Sequence, residues 1–309
     1  MKIVVIGAGG VGGYFGARLQ AAGEQVVFIQ RGPHGAAMRR GGLSIGSPGG
    51  DIELPTVHCQ ADARGIGPVD VVLVTVKADG TEAAGTMAKQ MLGPETMVIS
   101  LQNGVENEDR LVAIVGADHV AGGTCYILSL IEAPGKIRHS IALAKLIFGE
   151  RDGITTPRSE AFRFACETAG IDVELRSDID TAIWTKFTSL CPHNGMTAVC
   201  RSPIGPIRED AQCRALLEAA AREVIALAQA RGVTMPDDVI ADPMFLFDRV
   251  PAAMTSSTLH DLSHGKPLEI DWLHGAVVRL GRKAGIATPV NDFIYAALKL
   301  HVPGTPRQT

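Results

Sequence analysis

The stretch that decides the fold is residues 1–32, MKIVVIGAGGVGGYFGARLQAAGEQVVFIQRG. A short β-branched run over residues 2–6 leads into Gly7, Gly9 and Gly12, spaced as G-x-G-x-x-G, and residues 11–22 then carry apolar side chains at helical spacing. Strand, glycine turn and helix in that order make the phosphate-binding opening of a dinucleotide site. The first glycine permits the tight turn, the second lets a pyrophosphate approach the backbone, and the third lets helix and strand pack closely. A glycine-rich turn without a ligand is the alternative, and the strand and helix flanking it argue against that.

The end of the second strand discriminates between dinucleotides. Sites that prefer NAD place Asp or Glu there to bind the ribose 2′-hydroxyl. Here the residues are Phe28-Ile29-Gln30-Arg31-Gly32, with no carboxylate, and Arg31 stands where a guanidinium can pair a 2′-phosphate. NADPH/NADP is therefore the expected cofactor, with a solvated surface arginine as the competing reading of Arg31.

Composition narrows the class further. The 309 residues are 46% hydrophobic and 20% charged, enough for a large core and more readily two domains than one. A formal charge of -4, a pI near 6.1 and no basic run leave no footprint for nucleic acid. Six cysteines without a C-x-x-C pair suggest reduced thiols in a cytoplasm and give no zinc site. The glycines cut the first apolar run too short for a signal peptide, and no stretch approaches membrane-spanning length. A cytoplasmic protein with no metal and no membrane partner is expected.

Strand-like runs at residues 2–6, 25–29, 69–76 and 97–101 alternate with helical stretches at 81–91 and 106–115. Near-continuous Val/Ile/Leu strands are what a parallel sheet covered on both faces requires. Residues 121–148 read as a late antiparallel hairpin turning at Gly135-Lys136. From residue 177 the period changes to 3.6, with helices expected over 178–190, 208–231 and 270–284, and the tail from 302 to 309 expected to be disordered. The fold class is thus an α/β Rossmann-type doubly wound domain over residues 1–175 followed by an all-α domain over 176–309. Long amphipathic helices can bury a homodimer interface as well as an internal core.

Candidate chemistry sits after strand ends and in the helical half. Lys77 in VLVTVKADG, and Gln102 and Asn103 in VISLQNGVEN, lie beyond carboxyl ends of strands, where open α/β sheets bind ligands, although Asn-Gly is also a common turn pair. Lys186 falls beside the apolar stripe of Ile179, Ile183, Phe187 and Leu190, where being neutral costs less and proton transfer is favoured, as is simple snorkelling. Asn194 projects near the same stripe. Glu269 and Asp271 follow Pro267 in what reads as the first turn of a helix, a position that capping alone explains.

Taken together, GAGGVGG, Arg31, VKA with Lys77, LQNG with Asn103, IWTKF with Lys186, HNGMTAV with Asn194, and the serine pair at 256–257 followed by LEID resemble the ketopantoate reductase (2-dehydropantoate 2-reductase) family over nearly the whole chain. The resemblance implies a Rossmann domain followed by a helical domain like that of 6-phosphogluconate dehydrogenase, with the site in the cleft between them. It implies Lys186 as the general acid in reduction of a small 2-oxo acid by NADPH, with Glu269 holding the substrate or ribose hydroxyl. Asn103 and Asn194 would orient the substrate, Ser257 would bind its carboxylate, Lys77 would lie near the nicotinamide ribose, and Asn103 would also bind the cofactor. A cationic lysine suits the negative charge that develops on the carbonyl oxygen.

Four positions depart from the family pattern: Leu190 and Leu268 replace a usual Asn and Thr, Gly195 replaces a usual proline, and Pro192 falls inside the expected helix, which it should kink. A more apolar pocket relaxes or changes specificity. The competing functions are therefore a paralogous 2-hydroxy acid dehydrogenase with a more apolar substrate and a non-catalytic NADP-binding sensor. If Arg31 holds a 2′-phosphate, Arg31→Ala weakens NADPH about ten- to a hundredfold and leaves NADH unaffected. Titration of both nucleotides checks this, and an unchanged preference contradicts it.

Overall fold

The computed structural model describes residues 1–304. They divide into two compact units, the first formed by Met1–Gln102 with Asn107–Ile179, the second by Asn103–Glu106 with the chain from Asp180 onward.

The first unit is built on β1 (Lys2–Ile6), β2 (Gln25–Ile29), β3 (Leu43–Gly46), β4 (Ile52–Leu54), β5 (His58–Gln60), β6 (Val71–Val74), β7 (Met97–Ser100), β8 (Val120–Ala133), β9 (Lys136–Glu150) and β10 (Asp172–Leu175). Its helices are α1 (Gly10–Ala21), α2 (Gly32–Gly41), α3 (Thr81–Lys89), α4 (Asn107–Val115) and α5 (Pro157–Thr168). The strands form one ten-stranded sheet in the order β4-β3-β9-β8-β7-β6-β1-β2-β5, with β10 on β9. Both faces are covered, which is why β1 has no polar alternation. Ile3 and Val5 enter one core with Phe15, Phe28, Phe148 and Phe162, while Val4 and Ile6 enter the other with Ala84, Met91 and Leu111. Each buried side chain of this size contributes about 1.5–3 kcal/mol.

β8 and β9 form the expected hairpin, but it turns at Pro134-Gly135 rather than one residue later, because Gly135 takes the positive φ of 80° that the turn needs. β9 then pairs with β3 through Lys136–Arg138 and with β10 through Lys145–Phe148, extending the sheet beyond the hairpin.

The second unit contains helices α6 (Ile179–Cys200), α7 (Ile204–Glu209), α8 (Ala211–Ala230), α9 (Asp237–Ala241), α10 (Phe245–Asp248), α11 (Ser257–Ser263), α12 (His274–Ala284) and α13 (Pro289–Leu298). Helix α6 runs ten residues past the expected end and continues through Pro192. The helix expected over 208–231 is two, because Asp210 adopts an extended backbone and caps α8, its side chain accepting from the N–H groups of Gln212 and Cys213. The helix expected from Ile270 starts at His274: Ile270–Trp272 form a 3-10 turn and Leu273, at φ -103° and ψ -96°, breaks the path. Part of the tail expected to be disordered is built in. The Leu268 N–H donates to Val302 O at 3.1 Å, and Val302 packs on the core of Met196, Ile204, Leu217, Phe247 and Ile294. The rest of that expectation, residues 305–309, lies outside the described residues. Among the described residues no helix is long and apolar enough to cross a membrane.

A buried polar knot joins three of these helices. Glu223 of α8 accepts the Val290 N–H at 2.8 Å and the Asn291 N–H at 3.0 Å, neutralising the start of α13. The Asn291 amide donates to Glu223 at 2.6 Å, which leaves its oxygen to accept from Nδ1 of His274 on α12 at 2.7 Å. His274 is fully buried, and desolvation pushes its pKa down to about 4. Unfolding exposes an ordinary imidazole that takes a proton below about 6.5, so stability falls as pH drops from about 6.5 toward 4. At about 1.4 kcal/mol per pH unit, His274 alone removes about 3 kcal/mol across that interval. Urea unfolding followed by the fluorescence of Trp184 and Trp272, both in this unit, should show the midpoint falling over that range. A flat midpoint contradicts a neutral buried His274.

Candidate functional site

In the first unit, the parallel strands β1, β2, β6 and β7 end at the same edge of the sheet, as the pairs Ile6↔Ile29, Ile6↔Val74 and Val74↔Ser100 require. The glycine turn after β1 is therefore flanked by Arg31 after β2 on one side and Lys77 after β6 on the other. The chain leaves β1 toward β2 and later returns to its other side as β6. This reversal is the switch point at which open α/β sheets bind ligands.

The three fingerprint glycines are distinguishable by their surroundings. Gly7 has φ +97°, and a Cβ on it would lie 2.8 Å from the Val76 backbone nitrogen. A Cβ on Gly12 would lie 2.2 Å from Thr75 Oγ1 and 2.5 Å from Gly7 O, so α1 can approach β1 and β6 only without a side chain there. Gly9 has nothing within 4 Å of its would-be Cβ. That open side faces no protein group, whereas its two partners in the motif are closed in. Thr75 fastens the turn by donating its hydroxyl to Gly7 O at 2.8 Å.

No side chain caps the N-terminus of α1 and no carboxylate lies in its first turn. Its first N–H groups are thus left for an anion. Arg31 precedes α2 and is exposed; its carbonyl accepts from the Gln30 side-chain amide at 3.2 Å, while its guanidinium makes no hydrogen bond or ion pair among the described residues. An uncapped helix start, an open glycine and a nearby guanidinium form a donor set that fits a phosphorylated dinucleotide. Lys77 is exposed just before the 3-10 turn Ala78–Gly80. Gln102 is buried and ties the strand-end loops together, its amide donating to Thr81 Oγ1 at 2.9 Å and to Lys77 O at 3.3 Å.

In the second unit, Lys186 is only 8% exposed. Its ammonium donates to Asn103 Oδ1 at 3.0 Å, so the segment Asn103–Glu106 is joined to α6 at its most polar buried point. Trp184 and Phe187, packed edge to face with ring centroids 5.9 Å apart, make the adjoining surface apolar. Asn194, two turns further along α6, has its oxygen turned to α11. It accepts from Ser257 Oγ at 3.1 Å, Thr258 N at 3.1 Å and Thr258 Oγ1 at 2.9 Å, while its amide donates to Leu190 O at 2.8 Å. Asn194 thus sets the position of Ser257. Ser256 caps α11 by accepting from Leu259 N and receives the Thr197 hydroxyl at 2.7 Å.

Two pairs of sequence-predicted residues are therefore joined, Lys186 with Asn103 and Asn194 with Ser257. Glu269 is half-buried on the residue before the 3-10 turn, its carbonyl accepting from Trp272 N at 3.0 Å. Thr197, Ser256 and Thr258 were given no role by the sequence reading. The run Ser256-Ser257-Thr258 before a helical pattern was the signal available for them. Two readings of departures change. Leu268 is a core residue, 5% exposed among Met196, Phe247 and Ile270, and does not make a ligand pocket more apolar. Gly195 answers to packing, since a Cβ there would lie 2.2 Å from His274 Nε2.

His193 directly precedes Asn194 on α6. Burial, then the charge of Arg208, pushes its pKa down to about 4. Leu190, half-buried, lies one turn beyond Lys186 on α6.

Comparison with known proteins bears on all of this. Residues 3–153 match the family described as ketopantoate reductase PanE/ApbA, and residues 178–302 match its C-terminal counterpart. An uncharacterized oxidoreductase of Bacillus subtilis, YkpB, is 29% identical over 301 residues, spanning 97% of this chain and 99% of that one. The 2-dehydropantoate 2-reductase of Mesorhizobium japonicum is 30% identical over 320 residues and 97% of each chain. The crystal structure of a PanE/ApbA family ketopantoate reductase from Ralstonia eutropha superposes with a TM-score of 0.88 at 32% identity, covering 97% of this chain and 98% of that one.

The contrast between glycines is testable. Gly12→Ala should destabilise the first unit by about 1–3 kcal/mol through overpacking. Gly9→Ala should stay within about 0.5 kcal/mol of the parent yet weaken dinucleotide binding. Thermal unfolding and nucleotide titration of both variants check this. Equal losses of stability contradict it.

Proposed function

Because the chain belongs to the ketopantoate reductase family of oxidoreductases, we propose that it catalyses the NADPH-dependent reduction of 2-dehydropantoate to pantoate, as a cytoplasmic enzyme of pantothenate biosynthesis. The observation that carries the reading is the buried Lys186 ammonium held by Asn103 Oδ1 at 3.0 Å. The hydrogen bond to Asn103 Oδ1 holds the ammonium in a defined orientation. A proton donor with a fixed aim suits a carbonyl oxygen that becomes an alkoxide.

Bound NADPH supplies the hydride. Lys186 Nζ gives its proton to the substrate carbonyl oxygen as negative charge develops there. Ser257, positioned through Asn194, binds the substrate carboxylate, and Glu269 accepts a hydrogen bond from a substrate or ribose hydroxyl. Arg31 pairs the 2′-phosphate, the N-terminus of α1 takes the pyrophosphate over Gly9, and Lys77 attends the nicotinamide ribose. We assign residues 1–175 to the nucleotide and 176–309 to substrate and acid, with Asn103 the exception. A homodimer would draw on the helical half for its interface.

Leu190 supports a second reading. Its half-buried apolar side chain, one turn from Lys186, favours a 2-oxo acid with a larger apolar substituent. Initial rates with NADPH across a panel of 2-oxo acids separate the two by kcat/KM. NADPH binding with no turnover on any of them would leave only a sensor. Under either enzymatic reading, Lys186→Ala should lower kcat about 10²–10⁴-fold while NADPH affinity stays within about twofold of the parent. An unchanged kcat removes Lys186 as the proton donor.

A further inference from the structure

Helix α13 is apolar on two faces. Ile294 and Leu298 are buried in the core with Met196, Leu217 and Phe247. On the other side Phe293 and Leu300 stand 63% and 82% exposed, with Ala296 and Ala297, also exposed, between them. These four are spaced i, i+3, i+4 and i+7, the last of them in the 3-10 turn Lys299–His301 that prolongs the helix, so they share one stripe. Apolar residues exposed singly are ordinary. A continuous stripe at core spacing marks an interaction surface.

We propose that this stripe is the two-fold contact of a homodimer, packed antiparallel against α13 of a second copy. The proposal gives the homodimer named above a specific face and rests on that reading. Two features of the stripe select a second copy as its cover. Its shape is self-complementary: a two-fold axis between Ala296 and Ala297 sets Phe293 against Leu300 of the second copy and Leu300 against its Phe293, while the alanines let the helix axes approach to about 8 Å. Its charge is self-complementary too. Asp292 lies at the start of the stripe, Lys299 and His301 lie at its end, and all three are exposed. Asp292 reaches Arg282 at 3.5 Å, but both side chains are largely in water and the pair holds weakly. Antiparallel packing brings each Asp292 to the basic end of the other helix and opposes the two helix dipoles, whereas parallel packing sets Asp292 against Asp292. One helix face is small beside the about 800 Å² that each partner gives to a standard interface, so this dimer dissociates on dilution.

Sedimentation velocity on the full-length protein, under reducing conditions and from about 1 μM to about 100 μM, tests this. The parent should shift from monomer toward dimer as concentration rises. Phe293→Glu and Leu300→Lys each place a charge that suits its own end of the helix, so thermal unfolding should stay at the parent's midpoint. Each variant alone should weaken self-association about tenfold or more. Mixing the two should restore dimers, because a mixed pair sets the introduced carboxylate against the introduced ammonium at one end and Phe293 against Leu300 at the other. Variants that dimerise as the parent does overturn this face and leave the homodimer to another. A parent that is monomeric throughout removes both readings. Loss of dimers in each variant with no recovery on mixing overturns the antiparallel pairing.

Discussion

A lysine ammonium taken almost wholly out of water must be given partners, and this requirement organises the helical unit. At 8% exposure Lys186 loses most of its hydration, and an unpaired charge there would cost several kcal/mol. Asn103 answers part of that demand, and the answer comes from a four-residue segment distant in sequence. The segment is held by a second contact of the same kind. Arg279 of α12 pairs with Glu106 at 2.7 Å and lies over the Trp272 ring. These two contacts hold the segment against the ammonium and stiffen its surroundings.

The stiffness extends along α6 by economy of hydrogen bonds. Asn194 turns its oxygen toward α11 and its nitrogen toward its own helix, so one oxygen holds Ser257 by one hydrogen bond and its neighbour Thr258 by two. Gly195 follows because His274 already fills the space a side chain would take, and His274 is fixed in turn by Asn291 and Glu223. The small residue beside Asn194 is thus set by a buried imidazole on another helix.

In the sheet unit the governing constraint is the distance between a helix and two strands. Gly12 lets α1 come close enough that its uncapped N-terminus ends over the carboxyl ends of β1 and β6. The open side at Gly9 and the close packing at Gly12 both come from missing side chains. Gly7 supplies the backbone conformation, Gly12 the approach, and Gly9 the vacancy against which a ligand phosphate can rest.

Much of this was legible in one dimension, because glycine spacing, a missing strand-end carboxylate and doubly apolar strands are local signals of backbone and burial. Helix ends within the second unit were not, since Asp210 and Leu273 interrupt helical periodicity by backbone angles that side-chain pattern does not encode. Nor could sequence separate Leu268, a core residue, from Leu190, half-buried near the lysine, because hydropathy is the same for both and only the packed neighbours differ. By itself the chain determined the class of fold and the strand–glycine–helix turn with its open Gly9, all properties of short runs. The tertiary structure alone decided which amide faces Lys186 and which serine Asn194 holds, because those pairings join residues brought together only by burying apolar surface.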